Sequence, residues 1–377
     1  MATLPDRHSF PRRSSRPLVA ASMIVRNEER HLPDCLSSIA GLVDEIVIVD
    51  TGSTDSTIDI ARSFGAKVLE SPWQGDFAAP RNLSLDNCSS EWILYIDADE
   101  RLRGIDRAGL EAALSEPGRV CLRPWLRPRI GYTPYREYRL FRNDPRIRFR
   151  SKIHESIVPG IEAVAASDGL RVGAIEAVLE HVGYEGDQTA KHRRNLPLLR
   201  EQVMHSPDRI FLWWHLGHVL EGLGQIEEAE EAWAHGVELA RRDVDGTTDA
   251  LAYLSLIGSR VDRGEDVSAL LADAKRRFPT NHYLRFLEAR HHMNGKRFAE
   301  ALPPLLTLAA IDGETFRDEQ CAYNKELFGL PTYEALATCY FRLGDFNESA
   351  TWYGRAEALA PERADLRAKR VVAASRA

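Results

Sequence analysis

The sequence predicts two domains: an α/β domain built on a mostly parallel, doubly wound sheet, then an all-α domain of helical repeats. Short apolar runs alternate with helical patterns from Leu18 to Asp99, as in a parallel sheet covered by helices. From Asp187 onward, apolar residues recur at helical spacing alone. The chain has 377 residues, enough for two or three domains. We therefore expect a disordered leader at 1–17, the α/β domain at 18–186 and the helical domain at 187–377.

The composition excludes several classes of protein. With 44% hydrophobic and 28% charged residues the chain is an ordinary globular protein, and its net charge of −7 argues against a nucleic-acid partner. The leader carries arginines but no apolar core for export, and no stretch reaches the roughly 18 to 20 apolar residues of a transmembrane segment. The five cysteines are scattered and form no Cys-x-x-Cys pair, which is typical of a reducing compartment. We expect a cytoplasmic location, or one at the cytoplasmic face of the inner membrane.

The strands of the first domain are predicted where aliphatic and β-branched runs are bounded by polar turns. These runs are Leu18–Val25, Glu45–Asp50, Ala66–Glu70 and Trp92–Asp97. Helical patterns separate them at Glu29–Leu42, after the Thr51–Asp55 turn as far as Phe64, and at Ala79–Cys88. The resulting βαβαβαβ order predicts parallel pairing.

Residues 117–183 differ in character, with many arginines and several prolines. The runs of β type are Val120–Pro124, Glu137–Arg142, Ile153–Val158 and Ala177–Val182. We interpret them as an antiparallel extension of the same domain that closes over the site.

The helical part contains two segments with the same spacing of small and large residues. Trp213, Leu216, Gly217, Leu220, Gly224, Ala229, Trp233 and Gly236 have the same offsets as Tyr333, Leu336, Ala337, Tyr340, Gly344, Ser349, Tyr353 and Ala356. This is the 34-residue tetratricopeptide pattern, and looser copies surround Gly264 and Gly295. The repeats are either a structural helical cap or a surface that binds a protein partner or a second copy.

The chemistry is predicted at Asp97-Ala-Asp99, directly after a buried strand. Ligands of parallel sheets bind at the carboxyl ends of the strands. Two carboxylates there suit Mg²⁺ or Mn²⁺ that also holds substrate phosphates. The alternative is a turn that leads into the next element.

Other strand ends add polar side chains. Asp50 ends the second strand, where it can accept hydrogen bonds from a nucleoside, and Thr54 or Asp55 is expected to cap the following helix and leave Asp50 free. Asn27 and Glu28 follow the first strand and would lie beside Asp50, although acids there also suit a helix dipole.

Later residues offer further candidates, each with a structural alternative. Arg81, followed by Asn82, could contact a base or a phosphate, or form a surface ion pair. Arg139 could stabilise a leaving diphosphate. Glu155, beside His154, could act as a general base, and His181 could bind a metal or be structural. Since the chain lacks Gly-x-Gly-x-x-Gly and a Gly-Lys-Ser/Thr loop, metal and side chains must bind any diphosphate.

Together, Met23–Glu29, Asp44–Asp55, Arg81-Asn82 and Ile96–Glu100 resemble family 2 glycosyltransferases with the GT-A fold, over roughly residues 18–185. Ile153–Glu155 and His181–Tyr184 look like a subgroup that includes bacterial lipopolysaccharide-core glucosyltransferase-like proteins and bacteriocin S-glycosyltransferases with helical C-terminal repeats.

The resemblance implies an inverting transfer of a sugar from a nucleotide-diphosphate donor, with UDP as the expected nucleotide, to a hydroxyl or thiol acceptor. It implies Mn²⁺ or Mg²⁺ bound by Asp99, Asp97 and His181. Nucleotide-sugar contacts are expected from Asn27, Glu28, Asp50, Arg81, Asn82, Asp97 and Arg139, and catalysis from Glu155 with His154. The acceptor would be a glycan, a glycolipid or a peptide. The competing hypothesis is a non-catalytic nucleotide-binding scaffold with tetratricopeptide repeats.

Overall fold

The computed structural model describes residues 18–183, 189–242 and 249–377. The described residues divide into two compact units: 18–130 with 134–183, and 131–133 with 189–242 and 249–377. The expected leader at 1–17 lies outside the described residues.

The first unit contains a nine-stranded sheet. Its strands are β1 (Val19–Val25), β2 (Glu45–Asp50), β3 (Lys67–Glu70), β4 (Trp92–Tyr95), β5 (Glu100–Arg103), β6 (Arg119–Arg127), β7 (Tyr135–Arg136), β8 (Leu140–Arg142) and β9 (Arg171–His181). The order is β3-β2-β1-β4-β8-β6-β9-β5, with β7 paired to β6. The first four strands pair in parallel, as the sequence predicts. Their carboxyl ends therefore meet at one edge of the sheet.

Helices of this unit are α1 (Leu32–Ile39), α2 (Thr57–Ser63), α3 (Ala78–Asp86), α4 (Arg107–Ser115) and α5 (Val158–Asp168). Strands β1 and β2 are buried along almost their whole length, which explains why they are apolar runs rather than alternating ones.

The second half of the sheet is mostly antiparallel, as expected, except that β6 and β9 run parallel. The predicted strand at Ile153–Val158 is wrong: α5 begins at Val158, and residues 150–157 form an irregular loop with an isolated bridge between Arg150 and Ser156. Pro159 in the first turn favours a helix start. Gly160 allows the helix to pack on the backbone of residues 146–148, because an added Cβ would lie 3.1–3.2 Å from it.

The described part of the second unit is helical. Its helices are α6 (Thr189–His205), α7 (Ile210–Gly222), α8 (Ile226–Arg242), α9 (Asp249–Asp262), α10 (Ser268–Arg277), α11 (His282–Asn294), α12 (Phe298–Ala309), α13 (Leu330–Leu343), α14 (Phe346–Leu359) and α15 (Ala364–Ala374), with a 3₁₀ turn at Lys325–Phe328. The two matched sequence segments form the helix pairs α7–α8 and α13–α14. Among the described residues, no helix has both the length and the apolar character needed to cross a membrane.

The pair α7–α8 packs around Trp233. Its indole is 1% exposed and donates a hydrogen bond of 3.1 Å to the carbonyl of Trp214. A Cβ on Gly217 would overlap this indole. The corresponding residues of the α13–α14 pair are Ala337 and Tyr353, which belong to one buried cluster, so the larger ring of Trp233 accounts for the glycine in the α7–α8 pair.

We expect Gly217→Ala to lower the free energy of unfolding by about 1–3 kcal/mol, because the added methyl group overpacks the Trp233 site. Gly258→Ala in α9 is the control. The nearest atom to its Cβ would lie at an ordinary 3.9 Å, so helix propensity should make it neutral or stabilising by up to about 1 kcal/mol. Urea denaturation of both variants measures the difference. Equal stability of the two would contradict this account.

Candidate active site

Asp50 lies at the carboxyl end of β2 and is 3% exposed. Its Oδ2 accepts hydrogen bonds from the backbone N–H groups of Gly52 and Ser53, both at 2.9 Å. The expectation that Asp50 is wholly free is therefore wrong, since one oxygen holds the turn. Its buried Oδ1 has no hydrogen-bond partner among the residues that the structure describes. This oxygen can accept a hydrogen bond from a ligand.

Asn27 and Glu28 connect the end of β1 to the same turn. Asn27 has a left-handed backbone, with φ 55°, and its Oδ1 accepts a 2.8 Å hydrogen bond from the Thr54 N–H. The Glu28 N–H donates to Thr57 Oγ1 at 2.7 Å. Burial, together with the charges of Asp99 and Asp97, raises the pKa of Glu28 to about 7. The charges of Asp99 and Asp97 therefore act on Glu28 at this edge of the sheet.

Asp99 lies beside His181, the last residue of β9. The Nε2 of His181 is 3.1 Å from Asp99 Oδ2. Burial alone would lower the pKa of His181, but the hydrogen bond to Asp99 and the surrounding carboxylates raise it above its ordinary 6.5. Gly183 provides the space for this pair, because a Cβ on it would overlap the Asp99 carboxylate. Sequence reasoning noted the His-Val-Gly motif but missed this role of the glycine.

The Asp99–His181 pair fits a divalent ion. Neighbouring ligands of an octahedral ion with bonds of about 2.1 Å lie about 3 Å apart, and a carboxylate with an imidazole suits Mn²⁺. Within the described ranges, no group of three or more His, Cys, Asp or Glu side chains is arranged to hold a metal. Among the described residues, Asp99 and His181 are therefore the candidate ligands, and the expected third ligand, Asp97, is engaged by two arginines.

Asp97 is paired with two arginines. Its Oδ1 lies 3.0 Å from Arg81 Nη2, and its Oδ2 lies 3.7 Å from Arg139 Nη1. Burial alone would raise the pKa of Asp97, but these two guanidinium groups outweigh it and hold the pKa below its ordinary value. Its assignment as a metal ligand is therefore not supported by its position, because both carboxylate oxygens already face cations.

Arg139 forms an ion pair with Glu100 through two of its nitrogens, and no spacing in the sequence indicates this pairing. The two nitrogens of Arg139 lie 2.7 and 3.2 Å from the Glu100 oxygens, and both side chains are almost fully buried. Burial raises the pKa of Glu100 to about 7, although Arg139 acts in the opposite direction. Glu100 Oε2 also accepts the Asp97 N–H at 2.9 Å. Arg139 is thus a structural partner of the strand end, contrary to the expected donor contact.

Asn82 bonds to the protein backbone and not, as expected, to a nucleotide sugar. Its amide nitrogen donates to the Phe149 carbonyl at 2.9 Å, and its amide oxygen accepts the Phe149 N–H at 2.8 Å. Both polar atoms are used in joining α3 to the loop before Glu155, so Asn82 holds that loop rather than a nucleotide.

Glu155 and His154 lie in that loop, over residues 150–156. Arg150 and Ser156 exchange two backbone hydrogen bonds that close it. Ser151 and His154 have left-handed backbones, with φ 82° and 52°, a conformation that costs about 1–3 kcal/mol for a non-glycine residue. Glu155 Oε1 accepts a 2.6 Å hydrogen bond from Arg81 Nε. Arg81, 8% exposed, is therefore buried in an ion pair rather than on the surface.

A parallel sheet edge with clustered carboxylates, continued by a mostly antiparallel half, is typical of the GT-A class of nucleotide-sugar-dependent transferases. The glycosyl transferase family 2 model matches residues 21–162, and the tetratricopeptide repeat model matches 212–243 and 330–363. The first unit thus contains a domain of the glycosyltransferase family 2 type, and the second unit contains tetratricopeptide repeats.

Several curated proteins are similar to the chain. A tetratricopeptide repeat-containing protein of Synechococcus elongatus is 33% identical over 64% of this chain and 62% of its own length. The prophage-derived glycosyltransferase SunS of Bacillus subtilis is 28% identical, over 58% and 52%. The lipopolysaccharide core biosynthesis glycosyltransferase LpsC of Rhizobium meliloti is 37% identical, over 37% and 57%. The chain thus spans less than two thirds of the length of these relatives.

Among solved structures, glucosyl-3-phosphoglycerate synthase from Mycobacterium tuberculosis, in complex with Mn²⁺, UDP and its product, is 15% identical over 48% of this chain and 78% of that chain, with a TM-score of 0.36. The fold assignment rests on the strand order of this chain and on the family model.

Replacing Asp99 with Asn should lower the pKa of His181, because the substitution removes the carboxylate that raises it. Gly183→Ala should act in the same direction by displacing the Asp99 side chain. The His181 titration can be followed by NMR of its imidazole.

Gly173→Ala, on the same strand β9, is the control, since its Cβ would meet mainly the flexible end of the Arg119 side chain. Its His181 pKa should equal that of the wild type. An unchanged pKa in Asp99→Asn would contradict the pairing of the two side chains.

Proposed function

We propose that the protein is an inverting glycosyltransferase that moves a sugar from a nucleotide-diphosphate donor, with UDP as the first nucleotide to test, to a hydroxyl or thiol acceptor. The proposal rests on one observation: three carboxylates with different surroundings, those of Asp50, Asp99 and Glu155, lie at one edge of the sheet. Asp50 has an unpartnered oxygen, Asp99 adjoins a histidine, and Glu155 is held across the same edge by Arg81.

On the donor side, Asp50 Oδ1 would accept a hydrogen bond from the nucleoside. Glu28 and Asp97, which lie at the same edge of the sheet, would contact the ribose and the sugar. Asp99 and His181 would hold Mn²⁺ or Mg²⁺, which as a Lewis acid stabilises the negative charge of the departing diphosphate.

On the acceptor side, Glu155 would take the proton of the attacking hydroxyl or thiol as the oxygen or sulfur bonds to the anomeric carbon. The bond from that carbon to the diphosphate breaks at the same time, on the opposite face of the sugar. This single displacement inverts the anomeric configuration and needs no covalent bond to the protein. His154 adjoins Glu155 and is positioned by the same loop.

The acceptor is a glycan, a glycolipid or a peptide, and the relative named for lipopolysaccharide core biosynthesis makes a glycolipid the first choice. The tetratricopeptide repeats would bind the acceptor, a protein partner or a second copy of the chain. Incubating labelled donor with separate glycolipid and peptide fractions distinguishes the acceptors.

The five thiols, all free, agree with the proposed cytoplasmic location or its membrane face.

Asp99→Asn should reduce donor turnover at least about 100-fold, because it removes a ligand of the ion that stabilises the leaving group. Asp59→Asn, an exposed change on α2, is the control and should leave turnover unchanged. The measurement is release of UDP from nucleotide sugars with Mn²⁺ present. Full activity of Asp99→Asn, or full wild-type activity after chelation, would exclude the metal role.

Mn²⁺ affinity should fall as the pH is lowered through the raised pKa of His181, because the proton and the ion compete for Nε2. Calorimetry with UDP and Mn²⁺ between about pH 6 and 8.5 measures this. A pH-independent affinity would remove His181 from the ligand set. No heat with any nucleotide diphosphate would favour the scaffold hypothesis instead.

A further inference from the structure

Tyr95 occupies the end of β4, two residues before Asp97, and no sequence motif marked it. The guanidinium carbons of Arg81 and Arg139 lie 4.7 and 4.0 Å from the centroid of its ring. Phe149 meets this ring edge-on at 5.2 Å, and Arg81 also lies 5.5 Å from the Phe149 centroid. Cations are attracted to aromatic faces, so the two rings hold the guanidinium group of Arg81 in position.

Arg81 uses two different nitrogens for two different carboxylates. Nε binds Glu155 at 2.6 Å, and Nη2 binds Asp97 at 3.0 Å. Because the guanidinium group is planar and rigid, these bonds fix the separation of the two acids as well as their orientation. The single nitrogen of a lysine could not reproduce this arrangement.

The position of the Glu155 side chain depends on its contact with Arg81, because no regular secondary structure fixes the segment that carries it. Residues 150–156 have no helix or strand, and two of them hold left-handed backbones that surrounding contacts must maintain. The loop is anchored at Phe149 by Asn82 and at Lys152, whose carbonyl accepts the Phe77 N–H at 2.8 Å. Arg81 links the Glu155 side chain to the strand end at Asp97.

We propose that Tyr95 and Arg81 form a positioning unit that fixes the Glu155 carboxylate relative to the strand end at Asp97. Arg81 is then not a donor contact, because its buried Nε and Nη2 are both committed to protein carboxylates. The unit couples the acceptor side of the site to the donor side through one side chain. This inference rests on the proposed function for its catalytic consequence, but its structural part stands without it.

The first test is hydrogen exchange of the full-length protein. Tyr95→Leu and Arg81→Gln should speed amide exchange over residues 150–156 at least about tenfold, because the loop loses its link to the sheet. Tyr95→Phe keeps the ring and should exchange like the wild type. The control is a second buried arginine in the same compact unit of the chain. The guanidinium carbon of Arg136 lies 3.8 Å from the centroid of the Trp125 ring. Arg136→Gln and Trp125→Leu should leave exchange of the loop unchanged.

The second test separates positioning from donor binding. Tyr95→Leu, Arg81→Gln and Arg81→Lys should lower the kcat of UDP release about 100-fold, as expected for a misplaced catalytic group. The Kd for UDP with Mn²⁺ should stay within about threefold of the wild type, and Tyr95→Phe should retain kcat.

Three outcomes overturn the proposal. Unchanged loop exchange in Arg81→Gln removes its structural basis. A Kd raised more than about tenfold with kcat retained makes Arg81 a donor contact. Equal loss of kcat in Tyr95→Phe and Tyr95→Leu removes the ring as the cause. A wild type that neither binds UDP nor releases it from any nucleotide sugar refutes the proposed function, and the exchange comparison then still decides whether the positioning unit exists.

Discussion

The candidate site depends on the charge balance around Asp97. Three carboxylates, Asp97, Glu100 and Glu155, share two buried arginines, Arg81 and Arg139. Removing one partner of a buried pair leaves an uncompensated charge, at a cost of roughly 3–5 kcal/mol. This cost applies to the Arg139–Glu100 pair, because only 6% and 1% of the two side chains are exposed. The other interactions at this sheet edge require the balance to be intact.

This balance separates two aspartates that the sequence presents as equivalent. Asp97 and Asp99 are two residues apart, yet only Asp97 faces both arginines. Asp99 instead adjoins His181, in space that the missing side chain of Gly183 leaves open. A carboxylate neutralised by two cations attracts a metal weakly, whereas a carboxylate beside an imidazole attracts one well. These different environments are the reason why the proposed function assigns the metal to Asp99 rather than to Asp97.

Patterns that are local in the chain were predictable. Apolar runs specified the four parallel strands, because burial on both faces imposes them, and equal offsets specified two helix pairs. The assignments that failed depended on distant partners. Asn82 is used by Phe149 and Arg139 by Glu100, and no spacing in the sequence indicates either contact. The strand expected at Ile153–Val158 failed because Pro159 and Gly160 favour a helix start close to another backbone stretch.

A pair of protein ligands has a thermodynamic consequence for the proposed reaction. Two ligands leave most positions of a hexacoordinate ion to water or to substrate oxygens. Diphosphate oxygens of the donor would fill some of these positions, so the ion and the donor would bind better together than apart. Linkage requires that each raises the affinity of the other by the same factor. In the proposed reaction, a site with Asp99 and His181 as its protein ligands would take up the ion with its donor and release it with the nucleotide diphosphate, while Arg81 would keep Glu155 in place.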